Sequence, residues 1–202
     1  MCFLTKVSVV TLLLSLTVVA ETPDECVHQN TALSDADLQM IFGKWILHEA
    51  YALSSQDYFS QVLKIINSSQ TEFIPSGNQD TVIFKQTTMR DDTCTRFLVN
   101  FTVVGNKIQY KSTARNYTSE GEFLKTCDDC LLMRYTTVMG NGEKGTFLLF
   151  YKKTETLSQA DQEKVKQQSK CLGFLQPPEF IYKQAELCAE ESDATKPKEP
   201  VQ

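Results

Sequence analysis

Between Lys44 and Lys153 the chain is cut into eight short apolar runs by turn-forming residues, and this spacing constrains the fold more than any other feature of it. The runs cover residues 44–53, 61–73, 81–89, 95–104, 107–114, 120–126, 131–138 and 146–153, and are rich in β-branched and aromatic side chains. The breaks include Pro75-Ser76-Gly77-Asn78, Arg90-Asp91-Asp92, Gly105-Asn106, Asp128-Asp129 and Gly140-Asn141-Gly142, residue types that accept the left-handed or tightly turned backbone of a hairpin. Most are too short for anything but a link between antiparallel neighbours. The expected fold class is therefore all-β, an eight-stranded up-and-down antiparallel barrel, which leaves no open sheet edge and is wide enough for one small ligand. The link 54–60 is longer, contains Tyr58 and Phe59, and is expected to lie over the open mouth as a lid.

The flanks fit such a barrel. Ser34 caps a short helical turn carrying Leu38, Met40 and Ile41, which delivers the chain to Gly43-Lys44-Trp45. Trp45 is the only tryptophan, and its place after a glycine at the start of the first strand predicts an aromatic floor for one end of the barrel. At the other end of the chain Thr156-Leu157-Ser158 caps a polar helix over 159–171, with a sparse apolar face of Ala160, Val165 and Leu172 that packs outside the barrel. Pro177-Pro178 stops it, a short strand follows at 179–183, and the charged stretch 189–202 is expected to be a disordered acidic tail.

Residues 1–20 read as a secretory signal, with Lys6 before an almost wholly apolar run and Val18-Val19-Ala20 for cleavage, which leaves one domain over 21–188. The apolar run is about 13 residues where a membrane span needs roughly 20. Export predicts disulfides, and of the seven cysteines six follow the signal: Cys26, Cys94, Cys127, Cys130, Cys171 and Cys188. Fifteen pairings are open, with Cys127 and Cys130 close enough for a local bridge. Loss of Lys6 takes the formal charge from −5 to −6, a balance that disfavours nucleic acid or anionic membrane as partner. Asn67, Asn100 and Asn116 each stand in an N-x-S/T sequon and are candidate glycan sites.

Alternation assigns faces. A glycan on Asn100 must point out, which turns Phe97, Val99, Phe101 and Val103 inward, while Val82, Phe84, Gln86, Thr88 and Arg90 share one side of the preceding strand. Together they describe a mainly apolar pocket with a few polar groups. Tyr110 and Tyr151 lie in strands and offer hydroxyls. Glu49 shares a face with Trp45, Leu47 and Tyr51, where burial of its charge is costly, so a bulge or a rim position is expected to turn it out. His48 is expected to face outward.

Enzyme chemistry finds little support. There is no HxxxH or paired Cys2His2 spacing, no GxSxG, no phosphate loop and no DxDxDG calcium loop, so neither a metal nor a cofactor is expected. In Cys127-Asp128-Asp129-Cys130 the two carboxylates disfavour a thiolate, which makes a structural hairpin bridge the better reading than a redox centre.

Gly43-Lys44-Trp45, the eight strands, the helix ending at Cys171 and the last strand leading to Cys188 together resemble the lipocalins. Within them, Asp80-Thr81-Val82-Ile83-Phe84 running on to Arg90-Asp91-Asp92-Thr93-Cys94 is similar to the α1-acid glycoprotein (orosomucoid) branch, nearest to its fish plasma members that bind tributyltin, saxitoxin and tetrodotoxin. The tract Gly145-Thr146-Phe147-Leu148-Leu149-Phe150-Tyr151 also resembles the apolipoprotein M branch. The resemblance implies the pairs Cys26–Cys171 and Cys94–Cys188, a pocket role for Arg90 and Tyr151, and a phosphate-binding role for Arg115. Gln86, Leu149 and Tyr110 replace an acid, a serine and an arginine of the orosomucoid pocket, and Lys152-Lys153 replaces an arginine common in lipocalins. What it implies is a monomeric, non-enzymatic plasma carrier of a small hydrophobic or amphipathic ligand, compatible with cell-surface or lipoprotein association. The alternatives it carries are an acute-phase immunomodulatory glycoprotein and a lysolipid carrier of the apolipoprotein M kind.

Overall fold

The computed structural model describes Cys26 and residues 30–53, 58–78 and 80–189. The expected signal 1–20 and, apart from Ala189, the expected tail 189–202 lie outside the described residues. Eight strands carry the fold: β1 (Gly43–Ala52), β2 (Ser68–Pro75), β3 (Thr81–Arg90), β4 (Thr93–Val104), β5 (Lys107–Ser112), β6 (Tyr117–Leu124), β7 (Cys130–Met139) and β8 (Lys144–Lys152). Each pairs antiparallel with its successor, and β1 pairs with both β2 and β8, which closes the barrel. A two-residue strand β9 (Phe180–Ile181) adds to the part of β1 that β2 does not reach. The tight links hold left-handed residues where turn chemistry predicts them, at Asp91, Asp92, Gly105 and Asp129.

Two cores lie on the two faces of the sheet. Trp45, Leu47, Phe73, Val82, Phe84, Phe101, Ile108, Phe123, Leu131, Met133 and Tyr151 belong to the core on the inner face of the barrel. Tyr51, Leu124, Leu132, Leu148, Phe150, Val165 and Phe174 form a second core outside it. The second core exists because the helix α2 (Gln159–Cys171) covers the outer wall, so the first four residues of β7 (130–133) and the run 147–151 of β8 are covered on both faces. Ser158 caps α2 in a capping box with Asp161, whose carboxylate also takes Lys152 Nζ at 2.5 Å. The face α2 buries differs from the expected one: Val165, Gln168 and Ser169 are buried, Ala160 is exposed and Leu172 is only partly covered. Gln168 owes its burial to the backbone end of β6, donating to the Lys125 carbonyl at 2.8 Å and accepting from Thr126 Oγ1 at 2.7 Å.

The expected second strand over 61–73 is two elements. A helix α1 (Tyr58–Ile65) precedes β2, which begins only at Ser68. Val62, Ile65 and Ile66 suggest a strand by propensity, but Phe59, Leu63 and Ile66 recur at helical spacing and turn one face toward the barrel, so tertiary contact overrides propensity. β1 carries a bulge between Leu47 and Glu49. Before it Leu47 sits opposite Tyr151 on the inside; after it Glu49 sits opposite Phe150 on the outside.

Three disulfides fasten the periphery. Cys26–Cys171 ties the N-terminal segment to the end of α2, Cys94–Cys188 ties β4 to the C-terminal segment, and Cys127–Cys130 closes the β6–β7 turn.

Candidate functional site

One end of the barrel is sealed. Gly43 takes φ +112°, a conformation that favours glycine, and admits the chain to β1 beneath the 3-10 turn Asp35–Ile41. Trp45 is buried, its Nε1 donates to the Ile41 carbonyl at 2.7 Å, and Lys153 Nζ lies 5.0 Å from the ring centroid.

Above this floor the inner wall has two characters. On β3 to β5 it is aromatic: Phe84 meets Phe73, Phe101 and Phe97 edge-on at 5.4, 5.2 and 6.2 Å, and Tyr110 lies 5.8 Å from Phe101 and 6.5 Å from Phe97. Val99 lies opposite Phe84 in the register. Across the barrel the wall carries hydroxyls. Ser119 and Thr137 share a hydrogen bond at 3.1 Å, Gln86 Nε2 donates to Ser69 Oγ at 3.1 Å, Tyr135 is half-buried and Tyr151 is deeply set. Burial pushes the Tyr135 phenol up to about 12 and raises that of Tyr151 as well, so both stay protonated. Thr71 stands beside Tyr151, between Trp45 and Gln86 in the register, and is fully buried.

The mouth is covered by α1. Phe59 packs edge-on against Phe147 at 5.9 Å and Tyr117 at 6.2 Å. Lys64 reaches Glu179 at 3.3 Å, linking α1 to the segment that leads into β9. Residues 58–60 of the expected lid are thus the first turn of a helix, while 54–57 lie outside the described residues.

Of the candidate residues, Phe84, Val99, Phe101, Tyr110 and Tyr151 come together inside the barrel. Phe97 joins them from the rim and is 37 % exposed. Arg90 ends β3 at the rim, its side chain 56 % exposed with Nε 3.6 Å from Asp91. Arg115 is exposed in the β5–β6 turn. Tyr117, Tyr135, Phe147 and Thr71 are not among the residues that sequence reasoning singles out. Alternation from residue 117 would have found Tyr117 and Ser119, but the turn Thr113 to Asn116 carries no glycine or proline to mark that start. Asn67, Asn100 and Asn116 are all exposed.

Outside the barrel, a groove of about 300 Å³ runs past Leu53, Glu120, Glu122, Arg134, Lys144 and Phe174. Its charges are largely paired, Arg134 with Glu122 at 2.5 Å and Glu120 with Lys107 at 2.7 Å. Among the described residues, Cys127, Cys130 and Asp161 are close enough to hold a metal, but both sulfurs are in a disulfide and the carboxylate is engaged by Lys152.

A closed eight-stranded antiparallel barrel, plugged by a tryptophan and backed by one C-terminal helix, is the lipocalin fold. The chain superposes on the siderocalins Ex-FABP and Q83 with TM-scores of 0.58 and 0.59, each at 14% identity, covering 74% and 78% of this chain and 99% and 98% of theirs. An odorant-binding protein matches with a TM-score of 0.53 at 14% identity, over 71% of this chain and 89% of its own. In sequence the chain is distantly homologous to saxitoxin and tetrodotoxin-binding proteins 1 and 2 of Takifugu pardalis, each 28% identical over 182 residues, or 81% of this chain. It spans only 44% of the length of those relatives. No protein-family model matches the chain.

Proposed function

We propose that the protein is a secreted, non-enzymatic carrier that binds one small, largely apolar ligand reversibly inside the barrel. The observation that carries this reading is the inner wall, continuous from the Trp45 floor to the Phe59 lid, with Phe84, Phe97, Val99, Phe101, Tyr110 and Tyr151 as the contact surface. Burying about 300 Å² of apolar ligand surface would supply roughly 7 kcal/mol before ordering costs, enough for micromolar binding without special chemistry. Arg90 and Arg115, both exposed, would meet a polar group left at or near the mouth. The names of the Takifugu relatives support a toxin, and the apolar wall equally supports a hydrophobic xenobiotic such as tributyltin or a lipid. Three disulfides support an extracellular site of action. Titration of the purified protein with a hydrophobic fluorophore and with tributyltin, followed through Trp45 emission, tests the reading. Saturable one-site binding is expected, and its absence for every such ligand would refute it.

A further inference from the structure

We infer that the acidic run Glu190-Glu191-Ser192-Asp193 docks on a basic cleft in the outer wall of β1 to β4 and latches the C-terminal segment there by charge. The cleft lies outside the barrel, so the inference is independent of the carrier reading. Its cations come from two adjacent rows of the sheet. In one row Lys44 stands opposite Glu72, and Glu72 opposite Lys85; in the next, Gln70 stands opposite Thr87, and Thr87 opposite Arg96. Lys44, Glu72 and Lys85 alternate with Trp45, Phe73 and Phe84 of the inner core, which turns their row outward. Lys44, Lys85 and Arg96 thus share the cleft with one carboxylate, Glu72, which lies 3.8 Å from Lys85. Three cations against one acid make a net positive patch on a chain whose formal charge is −5.

The C-terminal segment is led into this cleft. Ser68 Oγ donates to the Glu186 carbonyl at 2.6 Å, Cys188 is bonded to Cys94, and Arg96 Nη2 donates to the Ala189 carbonyl at 3.3 Å. Cys94 and Arg96 are successive positions on one face of β4, and the next, Leu98, stands opposite Lys85. At Ala189, the last described residue, the chain is therefore heading for the lysine row. The four residues that follow carry three carboxylates, opposite in sign to the cleft they are led into. At up to about 3.5 Å per residue, Glu190 and Glu191 stay within about 7 Å of Ala189. An exposed ion pair by itself is weak, but the Cys94–Cys188 bond holds these acids beside the cations, so docking costs only the ordering of a short segment. From Ala194 onward the chain carries two lysines and one glutamate, the wrong sign for the cleft, which sets the end of the docked run. While docked, the run closes the cleft to other anionic groups.

The test is the proton–nitrogen heteronuclear NOE of backbone amides in the full-length protein, which reports motion on the ps–ns scale. At low salt, Glu191 and Asp193 are expected to give values near those of the strands, and Val201 and Gln202 low ones. In Lys85→Gln/Arg96→Gln, the Glu191 and Asp193 values are expected to fall to those of Val201 and Gln202, while the strand values stay high and show that the barrel is intact. The same loss is expected in the unaltered protein at about 0.5 M NaCl, where screening confines charge interactions to a few ångströms. In Glu190→Gln/Glu191→Gln/Asp193→Asn, the Lys85 and Arg96 amide shifts are expected to move. Low values at Glu191 and Asp193 in the unaltered protein, or values that survive either the double variant or the salt, overturn the inference. So do Lys85 and Arg96 shifts that ignore the tail variant; if they instead follow protein concentration, the occupant of the cleft is a second copy of the chain.

Discussion

Glu49 is an acid among apolar neighbours, and one extra residue in β1 decides where it goes. In strict alternation it would share the inner face with Trp45 and Leu47; the bulge puts it outside, where its carboxylate accepts a hydrogen bond from Tyr51 beside α2. Burial raises the Glu49 pKa above its ordinary value, opposed by the Tyr51 hydrogen bond. The folded state therefore binds a proton more readily than the unfolded chain. This group costs stability as pH rises from the unfolded value near 4.5 through its raised folded value, and the cost is constant above that. Glu49→Gln is expected to stabilise the protein at pH 7 by roughly 1 kcal/mol, a gain that vanishes below about pH 4.5 and is read by urea unfolding across pH. Alternation predicts an outward His48. It is nevertheless buried, because Thr154 and Tyr182 cover it: its Nε2 donates to the Thr154 carbonyl at 2.7 Å and Tyr182 meets the ring edge-on. Outward is a statement about a strand, and exposed is a statement about everything packed on it.

At the scale of the element, α1 shows how much of the site was legible. A polar-aromatic link at the mouth was readable from its length and from Tyr58 and Phe59, but its helical state was not, because isolated β-branched residues such as Val62, Ile65 and Ile66 fit a strand as well. Packing decides: the helix brings Phe59 onto Phe147 and Tyr117 while Leu63 and Ile66 reach the barrel core. A ligand that reaches the interior past this helix must displace Phe59. Phe59→Ala is expected to raise the association rate of a hydrophobic fluorophore about fivefold in stopped-flow measurements, with little change in far-UV circular dichroism. An unchanged rate would mean that entry does not pass through this end. Helix α2 was more legible, since a capping serine with an acid three residues on is a local signal, and its bounds match the expected 159–171.

At the scale of the molecule, the barrel is one continuous hydrogen-bonded ring, and the disulfides fasten segments that would otherwise lie loosely on it. The C-terminal segment is held by Cys94–Cys188, by Tyr182 N donating to the His48 carbonyl at 2.8 Å and by Ser68 Oγ donating to the Glu186 carbonyl at 2.6 Å. Closing a chain segment with a separation of 94 restricts the unfolded state, and the double variant Cys94→Ser/Cys188→Ser is expected to lose about 4 kcal/mol in urea unfolding while the barrel's circular dichroism persists. What the sequence determined by itself were the local properties: where strands turn, which neighbours two apart share a face, where helices cap, and that cysteines and sequons suit an exported chain. These depend on a few adjacent residues. The tertiary structure alone decided that a bulge rather than a rim position turns Glu49 out, that residues 58–65 coil into a helix over the mouth, that the start of β7 and most of β8 are covered on both faces, and that Thr71 is buried beside Tyr151. Each of these depends on what the closed sheet brings opposite a residue, and closure joins positions, such as Trp45 with Thr71 and Leu47 with Tyr151, that no local pattern relates.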